Sequence, residues 1–518
     1  MEGIVFGILR IALSLILKII RFTGIYWIIA YMFIYDMWIK PTGYGAKGTV
    51  GEYVLLAGLF VTFGLVLITC INNLGRFFNP SFSLANFFTR EKAKTFEKLD
   101  NRLKVDDGIV FGRVGNKYIT KPYTEDGHTL IIGGAGSGKS SCIAIPTLLS
   151  WSNPVFAIDI KGELSETVKM YRSNIKVFNP TDYNSCAYNP YEILNLSSNK
   201  VQGAKEISQA IIQVPENIKD PFWKQSAQNL LTSAILHFSS QNIDFPETCR
   251  KVQGTPVREL VEILLTSADE NARMFANQFA TSDDKVLGSI YAELSNNIMV
   301  FATDSDLQRA LKPQENRISI KDLEFGNDVF IRIPEDKIEQ WKGLLTLINT
   351  QFLKAFERRQ DKNKLPILFL LDEFARLGKI EGIVNGLATL RSKNIHICIL
   401  IQSLAQLDVI YGKEQRKVIA DNCNYKAVLK ATDPETQDYF SKLVGTFDKE
   451  KTSTSNNYSN LGMGNGSGTS KTTEEKRIIK PEEFAYLENP IIFTPHGFFK
   501  TIKTPYFEDK SFIKKISA

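Results

Sequence analysis

One eight-residue run constrains this chain more than any other feature: Gly133-Gly134-Ala135-Gly136-Ser137-Gly138-Lys139-Ser140. It matches the pattern GxxxxGK[ST], follows the apolar run 128–132 and opens a helical pattern. Glycines let successive backbone N–H groups fold around phosphate oxygens, and a helix N-terminus adds partial positive charge. Lys139 is expected to reach the β- and γ-phosphates of ATP, and Ser140 to bind Mg²⁺, with Ser141 completing the loop. A strand–loop–helix unit of this kind belongs to an α/β sheet. Pro146 is expected to end or kink the helix that follows.

A second signal has the same address. Residues 367–373 read Ile-Leu-Phe-Leu-Leu-Asp-Glu. An apolar run ending in two acids puts both carboxylates at the C-terminal edge of a buried strand, where open α/β sheets bind ligands. Asp372 is expected to hold Mg²⁺ through water, and Glu373 to orient or deprotonate an attacking water. A scaffold that binds nucleotide without hydrolysing it would not need Glu373. Gln402 follows the apolar run 395–401 and is placed to report a γ-phosphate. Arg391 lies just before that run. In a ring ATPase such an arginine can reach the neighbouring subunit's γ-phosphate. Asp159, closing the run 155–159, has two readings: part of the magnesium shell, or a cap on the helix starting near Glu163.

Seven short apolar runs have the character of buried parallel strands: 128–132, 155–159, 175–178, 328–333, 367–371, 395–401 and 426–430. Helical patterns separate most of them, which predicts a doubly wound α/β sheet. Residues 109–120 suggest a hairpin turning near Gly115-Asn116. Between 178 and 328 the strand signals stop and helical patterns follow one another, at 201–214, 221–239, 256–267 and 286–299. This predicts an all-helical insertion over 195–314, dividing the nucleotide-binding domain into 128–194 and 315–518. The Ser/Thr/Asn/Gly-rich segment 451–473 reads as a flexible surface loop.

The start of the chain is different. Residues 53–71 are apolar and uncharged, about one bilayer thickness of helix. Residues 22–39 are apolar except for Asp36, and the link 40–52 holds Pro41 and four glycines. A membrane hairpin within 1–75 is expected. Arg10, Ser14, Lys18 and Arg21 fall on one helical face, so 1–21 reads as an interfacial helix, with a third span as the alternative. The basic residues outside the hairpin put both ends in the cytoplasm. Residues 76–127 supply a stalk and the hairpin at 109–120.

The net charge of +6 sits mostly in this region: residues 1–100 carry ten Lys/Arg against six Asp/Glu. The remainder is nearly neutral, so nucleic acid would be handled through a local groove or pore. Six scattered cysteines without CxxC spacing fit a reducing compartment and argue against structural zinc.

Taken in order, GGAGSGKS (133–140), DIKGEL (159–164), FNP (178–180), YNP (188–190), DPFW (220–223), LDEFARLGKI (371–380), IQSLAQLDVIYG (401–412) and KRIIKPEEFAYL (476–487) resemble the coupling-protein family of bacterial type IV secretion, the VirD4/TraG group. The resemblance implies a RecA-like P-loop NTPase domain with an inserted all-helical domain. It also implies a hexameric ring in the cytoplasmic membrane. Such a ring uses ATP and Mg²⁺ to deliver single-stranded DNA with its relaxase, and accessory proteins, to the secretion channel. Lys139, Ser140, Asp372, Glu373 and Gln402 fall on family motif positions, and Arg391 carries over less directly. The short C-terminus leaves cargo recruitment to the helical insertion. Three alternatives stand beside this reading: a receptor for protein effectors, a septal double-stranded DNA pump of the FtsK type, and a docking receptor that does not hydrolyse nucleotide. The expected spans, linkers and tail of the second are missing, and Asp372-Glu373 argues against the third.

Overall fold

In the computed structural model, the residues described are 61–62, 65–67 and 99–517, apart from 197–198, 216–217, 361–364, 381 and 458–465. The expected interfacial stretch 1–21, the span 22–39 and nearly all of the span 53–71 and the stalk lie outside them. Among the described residues no helix is long and apolar enough to cross a membrane. Lys98–Ala518 is one compact unit.

Its strands, in chain order, are β1 (Ile109–Val114), β2 (Lys117–Lys121), β3 (Thr129–Gly133), β4 (Val155–Ile158), β5 (Ile175–Phe178), β6 (Ala187–Tyr188), β7 (Arg317–Ile318), β8 (Asp328–Ile331), β9 (Ile367–Leu371), β10 (Ile395–Ile401), β11 (Tyr425–Lys430), β12 (Thr446–Asn457), β13 (Gly466–Arg477), β14 (Ile491–Thr494) and β15 (Gly497–Lys500). Nine form one sheet in the order β15-β14-β11-β3-β10-β9-β4-β8-β5. The seven from β11 to β5 are mutually parallel and fall on the seven apolar runs. The antiparallel hairpin β14–β15 extends the β11 edge.

Alternation along each strand divides the core between the two faces. On β9, Ile367, Phe369 and Leu371 join one buried cluster, while Leu368 and Leu370 join the other. The first cluster continues into the helical segment; the second is closed by β1, the helix after β3 and the C-terminal helix.

The helices used below are α1 (Ile145–Ser150), α2 (Glu163–Val168), α3 (Phe222–Ser240), α4 (Lys342–Glu357), α5 (Leu404–Asn422) and α6 (Lys510–Ser517). Between β6 and β7 the described residues form a succession of helices and contribute no strand to the main sheet. Aspartates punctuate it. Asp244, Asp269, Asp283 and Asp304 each accept a backbone N–H from the first turn of the helix they precede, a cap worth about 1 kcal/mol. Glu206, 3% exposed, pairs with Arg358 just past α4 at 3.0 Å and ties this segment to the sheet's own layer.

Two expectations need correction. Within the segment 451–473 expected as a flexible loop, residues 451–457 and 466–473 are strand: β12 and β13 pair antiparallel in an unbroken twelve-residue register, Thr446↔Arg477 to Asn457↔Gly466. The polar composition hid the ribbon, because neither face carries the apolar alternation that signals a half-buried strand. Pro146 does not end its helix. The chain leaves the phosphate loop in a wide π turn over Lys139–Ala144 and passes into α1, with Pro146 in the first turn.

Candidate functional site

The sheet order brings the predicted residues together. β10 lies between β3, which carries the glycine loop, and β9, which carries the acids. Ile401 is level with Ile132, and Ile399 with Leu371. Gly133, Asp372 and Gln402 therefore leave the same edge side by side.

The loop is held as an open turn. Gly136 and Gly138 have φ of 68° and 94°, left-handed values that a side chain would strain. Gly133 also makes room, since a Cβ there would lie 2.3 Å from Ser137 Oγ and that hydroxyl would have to turn away. That hydroxyl is buried with no hydrogen-bond partner. Lys139, 7% exposed, donates to the Gly133 carbonyl at 2.8 Å. Burial lowers its pKa, and the Glu373 and Asp372 carboxylates oppose that shift.

Ser140 Oγ donates to Asp372 Oδ2 at 3.4 Å. Burial, reinforced by the neighbouring Glu373 charge, pushes the Asp372 carboxyl up to about 6. A hydroxyl and a carboxylate held at this separation are the donor set a hard divalent cation takes. A carboxylate meeting the Ser140 hydroxyl, on a loop that also carries the partnerless Ser137 hydroxyl and the buried Lys139, fits a nucleotide with Mg²⁺.

Glu373 has φ 49° and ψ 38°, the left-handed region, which is uncommon for a residue with a side chain. Its N–H donates to Asp372 Oδ1 at 2.9 Å, and its carbonyl accepts from Arg376 N–H at 2.7 Å. The tight turn carries the carboxylate to Gln402, whose Nε2 donates to Glu373 Oε2 at 3.3 Å. Next to it, Phe374 stacks on Tyr411 of α5, with ring centroids 5.8 Å apart.

Of the two remaining candidates, Asp159 leaves the same edge level with Asp372 on the neighbouring strand, and Arg391 does not. Asp159 caps α2: its carboxylate accepts the N–H groups of Leu164 and Ser165 at 3.2 and 2.8 Å, and the Ser165 hydroxyl at 2.6 Å. These contacts realise the capping reading, while its charge also helps raise the Asp372 carboxyl. Arg391 lies at the entry to β10, the edge opposite the loop, paired with Asp126 at 3.5 Å. The seven residues of β10 separate it from Gln402 by about 20 Å, so Arg391 does not reach the phosphate site of its own chain.

Two cations at the site escaped the motif reading. Lys161 is exposed and close enough to Lys139 to depress its pKa further. It lies within DIKGEL, but nothing local gives it a role. Lys503 donates to the Ser137 carbonyl at 3.4 Å. It is 366 residues away in sequence and carries no local signal.

Residues 89–518 match the family described as Type IV secretory system Conjugative DNA transfer. The chain is 24% identical over 446 residues to Protein VirD4 of Agrobacterium fabrum, covering 79% of this chain and 63% of that protein. To Conjugal transfer protein TraG of Escherichia coli it is 24% identical over 400 residues, 70% of this chain and 62% of that one. It thus spans a little under two thirds of the length of these relatives. Plasmid coupling protein TrwB in complex with ADP and Mg²⁺ shares the fold, with a TM-score of 0.63 and 17% identity over 79% of this chain and 93% of that chain. The architecture is the RecA-like α/β fold of a P-loop NTPase with a helical domain.

Proposed function

The chain belongs to the type IV secretory system conjugative DNA transfer family, and on that premise we propose that it is a membrane-anchored ATPase. In this reading it couples a DNA–relaxase complex to a type IV secretion channel. The observation that carries the proposal is the meeting of Lys139, Ser140, Asp372, Glu373 and Gln402 at one sheet edge, from three strands that neighbour one another in space but not in sequence.

The geometry of this edge supports the nucleotide roles in this reading. The backbone N–H groups of 136–141 cradle phosphate. Lys139 exchanges the Gly133 carbonyl for phosphate oxygens, a move that needs only side-chain rotation. Ser140 and Asp372 hold Mg²⁺, which when bound neutralises phosphate charge. That a solved structure of this fold holds ADP and Mg²⁺ supports a nucleotide with Mg²⁺ here. Glu373 takes the proton of the attacking water, and Gln402 sets the position of that carboxylate. Arg391 acts in trans, at the site of the next subunit in a hexameric ring. The segment 195–314 receives the relaxase or its accessory proteins. Single-stranded DNA passes through or beside the ring.

A hairpin within 1–75 anchors the ring in the cytoplasmic membrane, with the ATPase inside. A cysteine placed at Gly43 then reacts with a thiol reagent that cannot cross the membrane, and one at position 2 does not. Hydrolysis is tested by Lys139→Ala and Glu373→Gln. The first loses nucleotide binding. The second keeps binding and loses turnover by about 10² or more. Normal hydrolysis by Glu373→Gln would remove Glu373 from the mechanism.

A further inference from the structure

The glycine loop is braced from outside by the last twenty residues of the chain. Lys503 Nζ donates to the Ser137 carbonyl at 3.4 Å, on the loop itself. Lys515 Nζ, on α6, donates to the Leu149 carbonyl at 2.6 Å, at the far end of the helix that the loop opens. Leu149 lies in the last turn of α1, where carbonyls have no partner inside the helix. Two lysines of one terminal segment thus hold both ends of the phosphate-loop helix.

The segment between them is fixed independently. Ile502 exchanges both backbone hydrogen bonds with Arg113 of β1, at 3.0 and 2.8 Å. The preceding Thr501 hydroxyl donates to the Phe111 carbonyl at 2.6 Å. Gly112, with φ 112°, permits this approach, since a Cβ there would lie 2.7 Å from the Ile502 carbonyl oxygen. Asp509 accepts from Arg113 at 2.9 Å and from the Tyr118 hydroxyl. Lys503 is therefore delivered to the loop by a strand-like contact and a buried carboxylate anchor, not by a loose tail.

Its target matters because of peptide geometry. In a trans peptide the C=O and the following N–H point in opposite directions. A cation holding the Ser137 carbonyl outward turns the Gly138 N–H inward and polarises it. Gly138 also has the left-handed φ of 94°, so this peptide is free to flip unless something fixes it. Loop N–H groups that already face the phosphate need no reorganisation when it binds. We propose that Lys503 is a positioning residue for nucleotide binding: it acts through the Ser137–Gly138 peptide, and the C-terminal segment 501–517 is part of the nucleotide site. This deepens the reading of the site as a nucleotide site and rests on it.

The test uses the full chain in detergent and ADP with Mg²⁺, with affinity read by calorimetry and turnover by phosphate release. Lys503→Ala should weaken ADP affinity about tenfold, the scale of one charge-assisted hydrogen bond. It should raise KM for ATP similarly and leave kcat within about twofold, since Lys503 does not touch the reacting atoms. Lys503→Arg keeps the cation and should recover most of the affinity. An unchanged Kd in Lys503→Ala would overturn the proposal. So would a loss that Arg does not rescue, or one that falls on kcat instead of KM. A wild-type chain that binds no ADP would instead overturn the nucleotide site itself, and the brace with it.

Discussion

Gln402 Nε2 and Glu373 Oε2 stand 3.3 Å apart, joined by a hydrogen bond across the ends of two adjacent parallel strands. The carboxylate assigned to the attacking water is thus tied to the residue placed to sense the terminal phosphate. Replacing Gln402 by Ala frees that carboxylate to take other rotamers. Nucleotide affinity should stay within about twofold, and steady-state phosphate release should fall by about 10², the scale seen when one positioned donor is removed. Isothermal binding and phosphate release on the same preparation check both halves.

Asp372 gives the site a pH signature. Burial and the Glu373 charge push its carboxyl from 3.8 to about 6. Between those values the folded chain holds a proton that the unfolded chain has released, so stability falls as pH rises through the window. Above about 6 the ionised carboxylate is ready for metal, and below it protons compete with Mg²⁺. The nucleotide-free Asp372→Asn chain should melt higher than wild type above pH 6. The difference should close towards pH 4, and Mg²⁺ should stabilise only the wild type. Thermal melts from pH 4 to 8, with and without Mg²⁺, read this directly.

At the opposite sheet edge, Lys121 is fully buried. Its ammonium donates to the Glu125 carbonyl at 2.6 Å, lies 3.0 Å from His396 Nδ1 and sits over the Tyr425 ring. Burial lowers its pKa to about 7; Asp126 and Glu125 oppose the shift and Arg391 adds to it. The unfolded chain keeps this proton up to 10.5, whereas the folded chain sheds it above about 7. Stability should therefore rise with pH between 7 and 10.5. Lys121→Met should flatten that rise, as thermal melts across the range would record.

Tyr411 supports the turn that aims Glu373. Its hydroxyl accepts the Ile380 N–H at 3.1 Å in a buried setting, and its ring stacks on Phe374. Tyr411→Phe keeps the stack and strands the amide, a loss of about 1–3 kcal/mol. The melting temperature should drop by several degrees. ATP turnover should fall further in Tyr411→Leu, which removes the stack as well.

How much of this was legible in the sequence depends on how local each signal is. The glycine loop and Asp372-Glu373 are contiguous motifs beside apolar strands, and each strand run falls on an observed strand. Gln402 was legible because strand ends in a parallel sheet share an edge. Asp159 had two readings, and Ser165, six residues on, decided for the cap by donating from both N–H and hydroxyl. The left-handed turn at Glu373 left no trace, since no glycine or asparagine marks it. The β12–β13 ribbon was missed for want of apolar alternation, and the β14–β15 edge was missed although its four-residue strands are as long as β4, β5 and β8. Lys503 was out of reach, because the contact that matters closes a loop of 366 residues.

The most direct measurement of the account is the transfer frequency of a mobilisable plasmid from a host lacking this chain, complemented with wild type or with Glu373→Gln. Both proteins must first be shown to reach the membrane and bind ATP equally. The account predicts that wild type restores transfer and that Glu373→Gln leaves it at the level of the deletion. Transfer by Glu373→Gln at the wild-type frequency would contradict it, because nucleotide would then be bound at this edge without its hydrolysis driving the passage of DNA.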